Sequence, residues 1–367
     1  MRYMASLFLA GITLGCNGPV PLPCKADIEC KMDRVCEGGI CVSPTIKDMS
    51  VTPIPDLYMT PSVKNLVYVP DDANLRINII DNLTNKINTG YISGTQNYAF
   101  GIAVTSKRVF IAHPDITVID TTSAPGRIST ILGSAMFCGA ASARAIAVTP
   151  DEKKAYVTCF TVGSANCNQI GVLNTQTNVV SSIITTGNGT TCAGEVAVAP
   201  DGQRAYVARA YEVAVIDTTL DKVVATIPNI PGDQGIAVSA DSKKVYVANI
   251  SRNDVSVIDA KLNTVITTIP VGDSPVGISI TPQNTVFVAN DSGNSISVIK
   301  NDSVVATVPV GTRPRGVSAT SDGNKVYVIN YVSRTVSVID AQTYKVIETL
   351  PAGGSGVVGK FVSPLLP

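Results

Sequence analysis

The chain has 367 residues, with 28 Lys plus Arg against 28 Asp plus Glu, a single histidine and no tryptophan. Zero net charge without any Lys/Arg run leaves nothing to neutralise a row of phosphates, so nucleic acid is not an expected partner. With His113 alone, no site can use two imidazoles, and no cofactor can stack on an indole. Charged residues make up 15% and apolar residues 45%, the balance of a chain that buries a large core.

The amino terminus reads as a targeting segment over 1–15. Arg2 supplies a positive start, and the apolar stretch Ala5 to Leu14 is far shorter than the ~20 residues a membrane-spanning helix needs. Thr13-Leu14-Gly15-Cys16 resembles the lipobox of bacterial lipoproteins, with Thr13 where that family usually has Leu. The resemblance implies that Cys16 is diacylated and becomes the first residue, tethering the protein to a membrane by lipid only. Ordinary secretion with Cys16 as a spare thiol is the other reading.

Nine cysteines divide into Cys16, then Cys24, Cys30, Cys36 and Cys41, then Cys138, Cys159, Cys167 and Cys192. Even sets in an exported chain favour disulfides, and the spacing of the first set is wider than that of paired zinc ligands, so no metal is expected. Residues 16–42 therefore form a small lipid-attachment and Cys-rich module. It resembles modules that follow the signal in many bacterial lipoproteins and is loosely similar to the amino-terminal region of Dickkopf proteins. Residues 43–62 carry four prolines among Thr, Ser and Asp and read as an extended linker.

From residue 63 to 367 the chain repeats. An aromatic followed by Val or Ile recurs at Tyr68, Phe110, Tyr156, Tyr206, Tyr246, Phe287 and Tyr327. Each copy contains short β-branched segments broken by Gly, Pro, Asn or Asp, which is strand patterning, and no segment has a helical period. Four strands per ~40 residues is the pattern of a propeller blade. The expected fold is all-β, a seven-bladed propeller of four-stranded blades. The first blade has three strands of its own, Leu66 to Val69, Arg76 to Asp81 and Lys86 to Ile92. Gly356 to Ser363 is left over after the last blade and is expected to pair into the first, closing the ring and removing its exposed edge.

The motifs YVAN, YVIN and FVAN followed by VSVID and VATI or TTIPVG resemble the YVTN family of seven-bladed propellers. That resemblance covers Val63 to about Ser363 and implies an inner strand, then the YVAN strand, then VSVID, then an outer strand. On this layout the Asp of VSVID (Asp81, Asp120, Asp217, Asp259, Asp340) is a turn device. Gly235, Gly277, Gly316 and Gly356 answer close backbone approach at the centre.

Function is sought where blades leave their own consensus. The third residue after each aromatic is Asp71, His113, Cys159, Arg209, Asn249, Asn290 and Asn330, and this position is expected to open a loop on the face of the central mouth. Arg144, Glu195, Gln234 and Arg315, just before or within the inner strands, are expected to ring that mouth. Together with Arg209 and His113 they are the candidate binding residues. An Arg144–Glu195 surface pair is the plainer alternative. Cys159 with Cys167 and Cys138 with Cys192 is the preferred pairing, the other two connectivities remaining open.

Two function classes follow. The first is a non-enzymatic binding scaffold at the cell envelope, engaging a protein or glycan partner without cofactor, as a monomer. The second is a lactonase-like hydrolase or lyase using Glu195, alone or with His113. No Cys-x-x-Cys-His is present for covalent haem, and one histidine cannot build a multi-His copper site.

Overall fold

The computed structural model describes residues 22–23, 35–37, 40–42, 66–71, 76–91, 101–113, 115–121, 127–131, 142–160, 168–187, 192–231 and 234–351. The signal and lipid site at Cys16, the linker, Cys24, Cys30, Cys138, Cys167 and the closing segment Gly356 to Ser363 lie outside them. Two units are distinguished, Met1–Ser50 and Val51–Pro367. In the first, the described strands Leu22–Pro23, Val35–Glu37 and Ile40–Val42 form an antiparallel sheet with the last strand central, and Cys36 stands opposite Cys41 in register.

In the second unit the described residues form one three-stranded and six four-stranded antiparallel sheets, each a meander in chain order. The first sheet is Leu66–Asp71, Arg76–Asp81 and Ile87–Tyr91, matching the three strands expected there. The second is Gly101–Val104, Arg108–Ala112, Ile116–Asp120 and Arg127–Ile131, and the third Ser142–Val148, Lys154–Phe160, Gln169–Asn174 and Val179–Thr185. The fourth is Ala193–Val198, Arg204–Arg209, Glu212–Asp217 and Lys222–Pro228, and the fifth Ile236–Val238, Lys244–Asn249, Asp254–Asp259 and Thr264–Pro270. The sixth is Pro275–Ile280, Val286–Asn290, Ser295–Lys300 and Ser303–Pro309, and the seventh Pro314–Ala319, Lys325–Asn330, Thr335–Asp340 and Lys345–Pro351. The architecture is an all-β propeller.

The cores lie between sheets. Phe110 and Val118 of the second sheet share a cluster with Ile146 and Val157 of the third, and the pattern repeats onward to Phe287 and Val298 of the sixth with Val326 and Val328 of the seventh. Tyr327, Val336 and Val338 of the seventh sheet then pack with Val67, Val69 and Ile80 of the first. The first sheet also packs Leu66, Tyr68 and Ile77 on Ile102, Val109 and Ile111 of the second. Sandwiched on both faces, each second strand is buried along nearly its whole length, whereas the outer strands are largely exposed. Those outer strands are blunted as free edges: in the third to seventh sheets each is bulged against its third strand, and the last four end in Pro228, Pro270, Pro309 and Pro351.

A polar latch reinforces the same neighbours. A cation opening a second strand reaches the turn between third and outer strands of the next sheet. Arg108 Nη1 donates to the carbonyl of Thr175, and Lys154 Nζ donates to Asp221 Oδ2 at 2.7 Å. Arg204 Nη1 donates to the carbonyl of Ala260, and Lys244 Nζ donates to Asp302 Oδ2 at 2.5 Å. Lys325 of the seventh sheet makes the same reach to the first, donating to the carbonyl of Asn82 at 2.6 Å and to Asn85 Oδ1 at 2.9 Å. The accepting turn holds a left-handed Asn or Asp at Asn85, Asn178, Asp221, Asn263 and Asp302, residues that tolerate that backbone and carry the acceptor. At the sixth-to-seventh junction both partners change together. Thr285 replaces the cation, Tyr344 takes the left-handed position, and Phe287 meets Tyr344 edge-on with centroids 6.2 Å apart.

The Asp that ends VSVID is a turn cap, as expected. Asp217 Oδ1 accepts from the backbone N–H of Thr219 and Leu220, Asp259 Oδ1 from Lys261 and Leu262, and Asp340 Oδ1 from Gln342 and Thr343. Those bonds, the Thr343 N–H first, hold the Asp340 carboxyl below the usual range.

Candidate functional site

From the second sheet to the seventh, the residues at the end of the second strands, His113, Cys159, Arg209, Asn249, Asn290 and Asn330, are interior, and this corrects the expectation that they open a surface loop. Asn249 Nδ2 donates to Asp254 Oδ1 at 2.5 Å and to Ser256 Oγ at 2.8 Å. Asn290 does the same to Ser295 and Ser297, and Asn330 to Thr335 and Ser337. All three asparagines are fully buried. Gly272 and Gly311, in the loops arriving at the sixth and seventh sheets, lie against Asn290 and Asn330, so that an added Cβ would stand 2.6 Å from each carboxamide.

The divergent blades fill this interior place with other chemistry. In the second sheet His113 is buried, accepts from the Asp115 N–H at Nδ1 (3.3 Å) and therefore carries its proton on Nε2, which donates to Thr117 Oγ1 at 2.5 Å. Thr117 corresponds to Ser256 and Asp115 to Asp254. Burial lowers the His113 pKa, opposed by the Asp115 charge, so the ring is held neutral. In the fourth sheet Arg209, 2% exposed, ion-pairs with Glu212 at the Asp254 position and lies under Gly187, while Ala214 replaces the hydroxyl of Ser256. In the third sheet Cys159 occupies the place, is buried and is disulfide-bonded, with Gln169 and Gly171 at the partner positions. Cys192 is also disulfide-bonded. His113 and Arg209 thus belong to the interior and leave the list of surface residues.

The other four candidates lie at or just before the openings of the inner strands. Arg144, Glu195, Gln234 and Arg315 are each partly exposed; Arg144, Gln234 and Arg315 take one equivalent step of the third, fifth and seventh sheets, and Glu195 of the fourth stands one step later. Backbones crowd at this level: the Gly235 N–H donates to the Val276 carbonyl at 2.7 Å, and a Cβ on Gly277 would collide with the Arg315 carbonyl. Glu195 stands at the step that Gly235, Gly277 and Gly316 fill in the regular sheets.

One cluster here was not foreseen. Asp291, the residue after Asn290, is buried and accepts from Arg313 Nε at 2.7 Å on Oδ2 and from Arg315 Nε at 2.9 Å on Oδ1. The Arg315 guanidinium lies 4.1 Å over the ring of Tyr331, the residue after Asn330. The signal was the Arg-Pro-Arg run at 313–315 with charge or aromatic directly after the strand-ending Asn.

No protein-family profile matches the chain, and no curated protein sequence matches it. Solved structures match its fold. A functionally unknown protein from Desulfotomaculum acetoxidans DSM 771 superposes with a TM-score of 0.65 at 18% identity, covering 79% of this chain and 98% of that one. Kuenenia stuttgartiensis hydrazine synthase gives a TM-score of 0.58 at 18% identity over 74% and 92%. Dihydro-heme d1 dehydrogenase NirN, in complex with DHE, gives 0.55 at 15% identity over 84% and 79%. The chain is a β-propeller related in fold to these three, and at such identity the likeness concerns fold alone.

Proposed function

We propose that this chain is a YVTN-type seven-bladed propeller acting as a non-enzymatic binding scaffold at the cell envelope. It is exported, lipid-tethered through Cys16, and meets a protein or glycan partner with the mouth-side face. The observation that carries this is the set Arg144, Glu195, Gln234 and Arg315. These polar groups sit partly exposed on the inner strands, while the other divergent positions are spent inside the blades. Convergent polar groups on a rigid concave rim form the usual ligand place of such a fold. A hydrolase using Glu195 with His113 has less support, because His113 is buried with both ring nitrogens engaged.

The seven-blade reading is supported by the first sheet, which packs on both the second and the seventh and has three strands among the described residues against four in the others. Gly356 to Ser363 is the natural donor of that strand. The disulfides are assigned as Cys159–Cys167 and Cys138–Cys192, holding loops of the third and fourth blades. Affinity capture from an envelope extract, with the wild-type chain and with an Arg144→Ala/Glu195→Ala/Gln234→Ala variant of equal melting temperature, tests the face. Specific recovery by the wild type and loss by the variant is expected. Equal recovery by both overturns the assignment.

A further inference from the structure

The Asp291–Arg313–Arg315–Tyr331 cluster carries two guanidinium charges on one carboxylate. Asp291 is spent: both oxygens are taken, Oδ2 by Nε and Nη2 of Arg313 at 2.7 and 2.6 Å, Oδ1 by Nε of Arg315 at 2.9 Å, and its side chain is 5% exposed. Arg315 is fixed on one edge by Asp291 and on one face by Tyr331, whose own N–H donates to the Arg313 carbonyl at 2.9 Å. The fork formed by Nη1 and Nη2 of Arg315 makes no hydrogen bond among the described residues, and 28% of that side chain is exposed. Arg313 is 45% exposed and leaves Nη1 similarly unused among the described residues.

The equivalent places one sheet earlier show that the backbone does not require this chemistry. Ser274-Pro275-Val276 stands where Arg313-Pro314-Arg315 does, and Ile250 stands where Asp291 does. Ser274 and Arg313 share the same left-handed backbone, with φ of 55° each. Serine meets that demand with no charge at all, so the two arginines answer something other than the turn.

We propose that this cluster is a binding site for a single oxyanion group, a carboxylate or a tetrahedral phosphate or sulfate, seated on the Arg315 fork with Arg313 beside it. A guanidinium presents paired N–H donors that match two oxygens of such a group, and stacking on an aromatic face fixes the plane of the fork before the ligand arrives. Asp291 is a positioning residue: it orients both cations and offsets one of the two charges, leaving the other for the ligand. The site shares Arg315 with the binding face proposed above and gives that face a chemical preference.

Isothermal titration of the full chain with inorganic phosphate, sulfate and acetate in separate arms, against chloride at matched ionic strength, tests this. Saturable one-to-one binding is expected in at least one oxyanion arm, and the arm that responds distinguishes tetrahedral from carboxylate chemistry. Arg315→Gln should weaken it by about ten-fold or more, the loss of one charge-assisted hydrogen-bonded pair. Tyr331→Leu keeps both charges, frees the fork and should weaken binding by a smaller factor. Asp291→Asn removes the carboxylate that orients both guanidinium groups and should weaken binding by a smaller factor than Arg315→Gln, even as the protein melts earlier. A purely structural clamp would lower the melting temperature in these variants with no effect on anion binding. Absence of saturable oxyanion binding by the wild type, or equal affinity in Arg315→Gln, overturns the proposal. Envelope capture by the wild type with no oxyanion binding would remove this site and leave the binding scaffold standing.

Discussion

The second and fourth sheets solve one problem differently from the fifth, sixth and seventh. In the regular sheets a buried carboxamide bonds two oxygens of the neighbouring third strand; in the divergent sheets an imidazole or a guanidinium fills the same place, His113 bonding Thr117 and the Asp115 N–H and Arg209 pairing with Glu212. In each case the residues facing it have changed as well: Thr117 for His113, Glu212 for Arg209. The lesson is that divergence inside a repeat can record an interior exchange of matched parts as readily as a binding surface.

The comparison can be broken most sharply at the charged pair. Glu212→Ala leaves the buried Arg209 guanidinium without its carboxylate and should cost about 3 kcal/mol, the lower end for such losses because Glu212 is itself partly exposed. Chemical denaturation reads this, and an effect below about 1 kcal/mol would mean the pair is no interior fixture. Next in size is Asn290→Ala, which removes two hydrogen bonds and leaves a small void, expected at about 2 kcal/mol. Asn330→Ala should match it, whereas an exposed outer-strand change such as Val305→Thr should fall within about 0.5 kcal/mol. His113→Asn places the regular residue opposite Thr117 and should be nearly neutral at pH 8, within about 1 kcal/mol.

The same variant sharpens the comparison by pH. The pKa of His113 is lowered in the folded state, so its contribution is fully present above the unfolded value of about 6.5 and is lost as pH falls through the folded one. Melting temperature should therefore decline below about pH 6.5 in the wild type and not in His113→Asn. A second decline, shared by both proteins, should set in below about pH 4. There Asp151, Asp241 and Asp340, all held low chiefly by hydrogen bonds from Thr149, Ser239 and the Thr343 N–H respectively, take up protons. Identical pH profiles for the two proteins would remove His113 from the interior account.

Most of the fold was legible in the sequence, because each sheet repeats its own punctuation. The aromatic-Val step placed the second strands, the Asp of VSVID placed the turns, and the three strands of the first sheet were read within two residues of their bounds. The places of Arg144, Glu195, Gln234 and Arg315 at or just before the inner strands were legible for the same reason. The direction of His113 and Arg209 was not. Period-two alternation reveals exposure only when one face of a strand meets solvent, and the second strands are buried on both, so the residue that ends them is interior too. The Asp291 cluster was hidden because it joins two sheets through residues 22 and 24 positions apart. Their meeting depends on how neighbouring blades stack, which no single repeat encodes.

The latch between Lys325 and Asn85 spans 240 positions. Every other observed latch joins sheets made in succession and can form as the chain lengthens, but the sheet of Leu66 to Tyr91 waits for a neighbour made last. Until Lys345–Pro351 is synthesised, Val67, Val69 and Ile80 lack the apolar surface that covers them. Contacts of such separation are slow to form, and uncovered β-strands are the places where chains associate wrongly. The first-made of the propeller's described sheets is thus the last to become safe, and a ribosome pause or a truncation late in the message would leave it exposed.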